Sequence, residues 1–250
     1  MKRLRWLLNL ALAVIVTSVA GWPAGAGGGD QVPASRDAVW RSIFARPKAA
    51  DKNPENELRV ELGAALFADK RLSRDGARAC VSCHEPARAF TDGLARAKAR
   101  NGSALKRNTP SLYNLAWSTH FFADGRAASF EDQARFPLTA PDEMAGDFAT
   151  IVQQLRSAPQ LAAQFANAYP ASPDVSETSI LASLAAYERK LISPQTRFDR
   201  WVEGDDNVLT PQERDGFTLF VGKGGCVGCH GGWRRWTLYG MSPPPRAGEE

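Results

Sequence analysis

Two short clusters carry the residue types that could do chemistry, Cys80-Val81-Ser82-Cys83-His84 and Cys226-Val227-Gly228-Cys229-His230. Between them they hold all four cysteines and two of the three histidines of the chain. Two thiols separated by two residues can reach the two vinyl groups of one porphyrin, and the histidine beside the second thiol then meets the iron from one face. The pattern points to covalently attached haem c at both clusters, with His84 and His230 as proximal ligands. Other uses of paired cysteines fit less well. A structural zinc site gathers four ligands, often from two such pairs, but these pairs are far apart and each has its own histidine. A thioredoxin-like dithiol needs no following histidine and belongs with a βαβ pattern, which this sequence lacks. Thiols set so economically beside histidines do not read as disulfide staples either.

The elements that must position these clusters are helical. Leu58, Leu62, Ala65 and Leu66, with Phe67 adjacent, recur at helix spacing, and Ser73, Asp75 and Gly76 break the pattern before Cys80. Phe148, Ile151, Val152 and Leu155 mark a second helix that stops near Pro159, and Leu161, Phe165 and Ala168 a third that stops at Pro170. Ser176 is placed to cap a fourth through Ile180, Leu184, Tyr187, Glu188 and Leu191, and a fifth runs from Pro211 to Phe220. Residues 90–108 are mostly polar without a regular period and read as a long loop laid over something else. No strand alternation is persuasive, so the expected fold class is mostly α. Gly63, Leu66 and Phe67 precede the first cluster, and Gly216, Leu219 and Phe220 precede the second with the same internal offsets. The chain is therefore read as tandem cytochrome c-like domains, residues 54–205 and 206–250. The stretch 231–250, with its triple proline, is too short to enclose a porphyrin, so the second domain is expected to be truncated.

Residues 1–26 read as a cleavable export signal. Lys2, Arg3 and Arg5 precede an apolar run from Leu7 to Ala20, and small residues follow at Ala24-Gly25-Ala26. Export to the periplasm suits thiols that become covalently occupied. Residues 27–53 form a polar, Gly-rich, flexible lead whose apolar cluster is Val39, Trp40, Ile43 and Phe44. The net charge of +4 includes the three basic residues of the leader, so the remainder is close to neutral. No basic block suits a nucleic acid, which excludes that partner. With 44% hydrophobic residues the chain can bury a sizeable core.

Residues 58–230 resemble the bacterial di-haem cytochrome c peroxidases, a family that also includes the MauG-type enzymes. The stretches that carry the resemblance are Leu66-Phe67, Arg71-Leu72-Ser73, the first cysteine cluster, Phe90-Thr91-Asp92-Gly93 and Arg107-Asn108-Thr109-Pro110-Ser111-Leu112. Asp124-Gly125-Arg126-Ala127, Glu131-Asp132-Gln133, Pro141-Asp142-Glu143-Met144 and the separation of the two clusters complete it. The resemblance implies a peroxide-reacting haem at Cys80, Cys83 and His84, and an electron-entry haem at Cys226, Cys229 and His230. It places the acid–base glutamate at Glu143, the pocket glutamine at Gln133, and Arg126 where it could steady the pocket or a haem propionate. It implies hydrogen peroxide as substrate and a small electron donor, such as a cytochrome c or cupredoxin, with a homodimer as a candidate assembly.

Three positions depart from the family pattern. Where its switching members carry a distal histidine this chain has Arg100, and His120, the one histidine outside the clusters, has the wrong offset. The expected consequence is a first iron reactive without reductive switching. The tryptophan usual before Asp-Gly-Arg is replaced by Ala123, which cannot relay a radical between haems. Asn108 matches one ligand of the family's calcium site, but calcium needs several oxygen donors and the remaining protein ligands are not in this sequence. The distal methionine of the second haem is also missing, and Met241 is not read as its replacement. The expected function is peroxide reduction. A MauG-like oxidation of a protein substrate and a haem-carrying electron carrier or inactive remnant are the alternatives.

Overall fold

A computed structural model describes residues 34–46 and 57–232. The expected signal sequence, the tail after Gly232 and Met241 lie outside them. The described helices are α1 (Ala34–Phe44), α2 (Glu57–Phe67), α3 (Phe130–Thr139), α4 (Phe148–Arg156), α5 (Pro159–Ala168), α6 (Glu177–Arg189), α7 (Arg197–Val202), α8 (Pro211–Val221) and α9 (Val227–His230). Among the described residues, β-structure is limited to isolated bridges such as Lys98 with Ala104. The mostly α expectation holds.

Local chemistry accounts for the helix starts. Ser176 and Ser179 form a reciprocal cap on α6: Ser176 Oγ accepts from the Ser179 N–H at 3.1 Å, and Ser179 Oγ accepts from the Ser176 N–H at 2.9 Å. Ser129 caps α3 and Asp147 caps α4 in the same sense. The sequence pattern missed α3, because Pro137 sits inside it and removes a ladder hydrogen bond. The helix survives because Phe130, Ala134 and Leu138 are buried along one face against α6.

The main core is built on the crossing of α2 and α6. Leu62, Leu66 and Phe67 from α2 meet Ile180, Leu181 and Leu184 from α6, all in one buried cluster with Ile151, Leu155 and Phe165 of α4 and α5. Gly63 makes the close approach possible, since a Cβ there would lie 1.9 Å from the Ser183 carbonyl oxygen. The buried Ser183 hydroxyl donates to the Ser179 carbonyl at 2.7 Å and lies 2.9 Å from Tyr169 Oη, so no polar atom is stranded at the crossing.

A second, aromatic cluster gathers Phe44, Trp201, Val202 and Leu209, with Trp40, Phe198, Phe217 and Phe220 packed against it. Phe44 lies 5.6 Å from Phe217 and 5.8 Å from Phe198 in edge-on contacts. The segment expected to be a flexible lead thus contains a helix, α1, that closes this cluster. Its apolar residues fall at helix spacing but are too few to show a period by themselves.

The internal repeat is only half mirrored. Leu66 and Phe67 are buried, whereas Leu219 is 52% exposed, and nothing lies within 4 Å of a Cβ added at Gly216. Gly63→Ala is therefore expected to cost about 1–3 kcal/mol through overpacking. Gly216→Ala, at an open helical position, is expected to be neutral or to stabilise by up to about 1 kcal/mol. Thermal melts of the two variants check this, and equal melting of Gly63→Ala and wild type would contradict the close crossing.

Candidate functional site

Each cysteine cluster folds as one helical turn, and the two turns are nearly superimposable in their hydrogen bonds. The Cys83 N–H donates to the Cys80 carbonyl at 3.2 Å and the His84 N–H to the same carbonyl at 2.9 Å. The equivalent bonds from Cys229 and His230 to the Cys226 carbonyl are 3.2 and 2.9 Å. Residues at i, i+3 and i+4 share a helix face, so both thiols and the imidazole of each cluster project to one side. A phenylalanine of the preceding helix stands against each imidazole: Phe67 and His84 are 6.4 Å apart at 47°, Phe220 and His230 6.4 Å apart at 49°.

The first turn is held by its surroundings. His84 Nδ1 lies 2.9 Å from the Phe90 carbonyl oxygen, an acceptor, so Nδ1 carries the proton and Nε2 keeps its lone pair. The Pro110 carbonyl also acts on this ring. Burial pushes the imidazole pKa down, and these carbonyls only partly oppose it, so the ring is held neutral. A neutral imidazole with a free Nε2 is the form that binds a metal. The Phe90 carbonyl reaches His84 because Ala89 and Phe90 both adopt the left-handed region, at φ 54° and 59°. Such conformations cost about 1–3 kcal/mol each and persist where the surroundings fix them. Here the Phe90 N–H donates to the Glu85 carbonyl at 2.9 Å, and Phe90 packs edge-on against Tyr113 at 5.3 Å. Thr109 Oγ1 donates to the buried Asp92 at 2.9 Å, tying the Pro110 segment to the same loop.

The cysteines are free thiols, half-buried at Cys80 and Cys83 and exposed at Cys226 and Cys229. Burial pushes the Cys80 thiol far above its ordinary pKa, and the nearby Glu188 pushes it further. Burial raises Cys83 as well. A thiolate is costly at such a place, whereas the neutral sulfur of a thioether is not. The residues therefore fit haem c: Cys80 and Cys83 would hold the porphyrin edge and His84 the iron, and Cys226, Cys229 and His230 have the same local form.

Glu143 sits on a tight turn that folds back onto α3. The Glu143 N–H donates to the Ala140 carbonyl at 3.0 Å, Met144 N–H to Pro137 at 3.1 Å, and Gly146 N–H to Leu138 at 2.7 Å. Burial raises the Glu143 pKa, the neighbouring Asp142 adds to the rise, and Arg126 and Arg78 oppose it. The Glu143 charge also acts on Cys83 of the first cluster, after burial, Arg78 and Asp92. Gln133 is half-buried on α3, the helix from which the Glu143 turn departs. Arg126 is exposed, donates to both oxygens of Asp124 at 2.7 and 2.8 Å, and lies 3.5 Å over the Phe122 ring. It meets Glu143 through its charge.

Other sequence-predicted positions lie apart. Asn108 is exposed on its loop, and no three acidic, histidine or cysteine side chains among the described residues form a metal-holding cluster. His120 is exposed, with Nδ1 3.1 Å from Thr119 Oγ1. The structure adds Glu188, which sequence reasoning used only as a helix residue. It is buried on α6, its charge acts on Cys80, and burial raises its pKa to about 8, against a lowering by Arg189 and a smaller rise from Glu131. The signal was an acid at a core position of an amphipathic helix.

A family model described as di-haem cytochrome c peroxidase matches residues 57–207. Methylamine utilization protein MauG of Methylorubrum extorquens is 42% identical over 200 residues, covering 79% of this chain and 57% of the relative. Cytochrome c peroxidase Ccp of Escherichia coli is 37% identical over 182 residues, covering 72% of this chain and 38% of the relative. Among solved structures, a MauG-like protein associated with microbial copper homeostasis aligns with a TM-score of 0.67 at 34% identity, covering 75% of this chain and 56% of that one. The diheme peroxidase BthA of Burkholderia thailandensis aligns at 0.61 and 29% identity, covering 70% and 49%. The chain thus spans between about two fifths and three fifths of the length of these relatives. The matched segment contains the first cysteine turn, the loop that orients its histidine and the turn that carries Glu143, and on that ground the chain belongs to the di-haem cytochrome c peroxidase family that includes MauG.

Proposed function

We propose that this chain provides the peroxide-reacting part of a periplasmic di-haem peroxidase, in which H₂O₂, two protons and two electrons become two waters. The electrons would come from a small redox protein and enter at the Cys226–His230 cluster. The observation that carries this reading is Glu143, a carboxyl with a pKa raised by burial, whose charge is felt at Cys83 and which lies under the opposing influences of Asp142 and two arginines. When bound, haem supplies an iron at which the O–O bond can be cleaved and the two electrons delivered. The chain's own contribution is the handling of protons. Glu143 takes the proton from the inner oxygen of peroxide and returns it to the outer oxygen, which then leaves as water. Partial burial serves both steps, because a carboxyl with a raised pKa is a stronger base without ceasing to be an acid. Arg126 and Arg78 limit that rise, and Gln133 orients the peroxide. The tandem-domain reading is supported by the matching geometry of the two cysteine turns and by the separate aromatic cluster under the second.

A second reading, oxidation of a protein substrate in the manner of MauG, is favoured by Arg100. Its guanidinium is committed to an ion pair with Asp75 at 2.5 Å, where switching relatives have a ligand that closes the first iron.

The mature protein is expected to carry two covalent haems by intact mass, and replacing both Cys80 and Cys83 with alanine should remove one. A purified chain retaining no haem would exclude attachment. The oxidised protein should contain high-spin haem and bind cyanide without prior reduction. Purely low-spin electron paramagnetic resonance, with no cyanide binding until one electron is added, would contradict this. Glu143→Gln should keep haem content and visible spectrum while slowing the reaction with H₂O₂ by about 10²–10⁴-fold in rapid mixing. Wild-type protein that is inert with its haem intact would instead favour an electron carrier or inactive remnant.

A further inference from the structure

Residues 97–107 form a small hairpin-like loop. The Ala97 N–H donates to the Arg107 carbonyl at 2.9 Å, Leu105 N–H to Ala97 at 2.7 Å and Ala99 N–H to Ser103 at 2.8 Å. At its tip, Arg100 makes three contacts, two of them to the turn that carries Glu143. Its backbone N–H donates to the Asp142 carbonyl at 2.8 Å, and its guanidinium Nη1 donates to the Met144 carbonyl at 3.4 Å. These are the carbonyls of the two residues flanking Glu143. The other end of the guanidinium, Nη2, is paired with Asp75 at 2.5 Å, in the turn that leads to Cys80. Arg74 strengthens the junction, since its N–H also donates to the Met144 carbonyl, at 3.1 Å.

We infer that Arg100 is a positioning residue for Glu143: it clamps the peptides on either side of that residue and anchors them to the segment entering the first cysteine turn. The inference deepens the proposed function and rests on it for the role of Glu143. The clamp acts through geometry. The charges that act on Glu143 come from Asp142, Arg126 and Arg78, whereas Arg100 spends its own charge on Asp75. Arg100 is half-buried but Asp75 is exposed, so the ion pair itself contributes little energy and its part in the clamp is to fix the direction of the guanidinium. The turn needs such support. It is a loop carrying Ala145 at φ 50°, and Gly146 lies so close to the Leu72 carbonyl that a Cβ would sit 2.7 Å away. Without the guanidinium, the backbone bond from residue 100 remains but the Met144 side of the turn loses its link to Asp75. A displacement on the order of 1 Å at a catalytic group can cost about 10²-fold.

Arg78 has a separate place in the assembly. Its guanidinium donates to the Lys98 and Ala99 carbonyls at 2.9 and 2.7 Å, and so holds the loop itself against the cysteine turn. Of these two guanidinium groups, only that of Arg100 donates to the Glu143 turn, so the two can be tested apart.

The test uses the haem-loaded full chain as wild type, Arg100→Ala and Arg100→Lys, with haem content and melting temperature recorded for each. The first readout is amide hydrogen exchange, which does not depend on turnover. Arg100→Ala should raise exchange of peptides covering 140–146 by about tenfold, the scale of one or two lost hydrogen bonds, and leave α2 and α6 unchanged. The second is the rate with H₂O₂, which should fall about 10- to 100-fold in Arg100→Ala and less in Arg100→Lys. The same Arg100→Ala change in a Glu143→Gln background should give little further loss, because both act through one group. Unchanged exchange over 140–146 overturns the clamp whatever the rates. Loosened exchange with a full additional rate loss in the Glu143→Gln background overturns the positioning role. If Arg100→Ala does not fold, Arg100→Lys decides on the same readouts: loosening confined to 140–146 supports the clamp, and wild-type exchange there overturns it. Wild-type protein inert to peroxide would count against the proposed function alone, since the exchange readout still tests the clamp.

Discussion

The hydrogen bond from His84 Nδ1 to the Phe90 carbonyl sets conditions on much of what surrounds it. For that carbonyl to face the ring, the chain after Glu85 must reverse within a few residues, and it does so through left-handed Ala89 and Phe90. A pair of such residues is costly outside glycine, so the reversal requires other anchors. Phe90 supplies one by packing on Phe67 and Tyr113, which places the loop against the end of α2. Asp92 supplies another by accepting from Thr109, which brings the Pro110 carbonyl to the same imidazole. The position of α2 depends in turn on the Gly63 crossing with α6. The neutral, oriented imidazole is thus an outcome of tertiary packing, although the cysteine turn it belongs to is local.

The second cysteine cluster separates these two contributions. Its turn has the same hydrogen bonds as the first, which the five-residue sequence accounts for by itself, and a phenylalanine of the preceding helix stands at the same spacing from its histidine. It differs in cover. Gly63 is met by Ser183 and Tyr187 of α6, whereas the space over Gly216 is open among the described residues. Cys226 and Cys229 are accordingly exposed, and Cys80 and Cys83 are not. Beneath the second turn lie aromatic rings from α1, α7 and α8 rather than a long helix. A repeat visible in sequence therefore marks equivalent local structure without marking an equivalent environment.

This distinction also explains what the sequence could reveal. The helices α2, α4, α5 and α6 were legible because their apolar residues recur at helix spacing and Ser176 announces a cap. The cysteine turns were legible because paired thiols with an adjacent histidine stand out by residue type and spacing. α3 was hidden by Pro137, and α1 by its few apolar residues, since both depend on faces buried against distant helices. Glu143 could be singled out only by resemblance, because an acid near a turn is ordinary in sequence and its raised pKa comes from burial and from Asp142, Arg126 and Arg78. The partners of His84 are backbone carbonyls, which carry no residue signature at all. Arg100 was legible as a departure from the family pattern, but its contacts were not.

The placement of Glu143 on a turn instead of a helix has a physical consequence. A helical residue is held by its own ladder, while a turn must borrow rigidity from its neighbours. Here the support comes from three directions: the end of α3 accepts the Glu143, Met144 and Gly146 amides, the 72–76 segment crowds Gly146 and bonds Met144, and the loop tip at Arg100 bonds Asp142 and Met144. Each supporting segment is also fixed to the first cysteine turn or to the core behind it, through Arg78 and Ser73 on one side and the buried face of α3 on the other. The carboxyl and the imidazole are therefore referred to the same rigid frame even though neither touches the other. The groups that act on the Glu143 pKa overlap with those that fix its position: Arg78 also holds the 97–107 loop and the Asp142 carbonyl is bonded by Arg100, whereas Arg126 acts through charge alone.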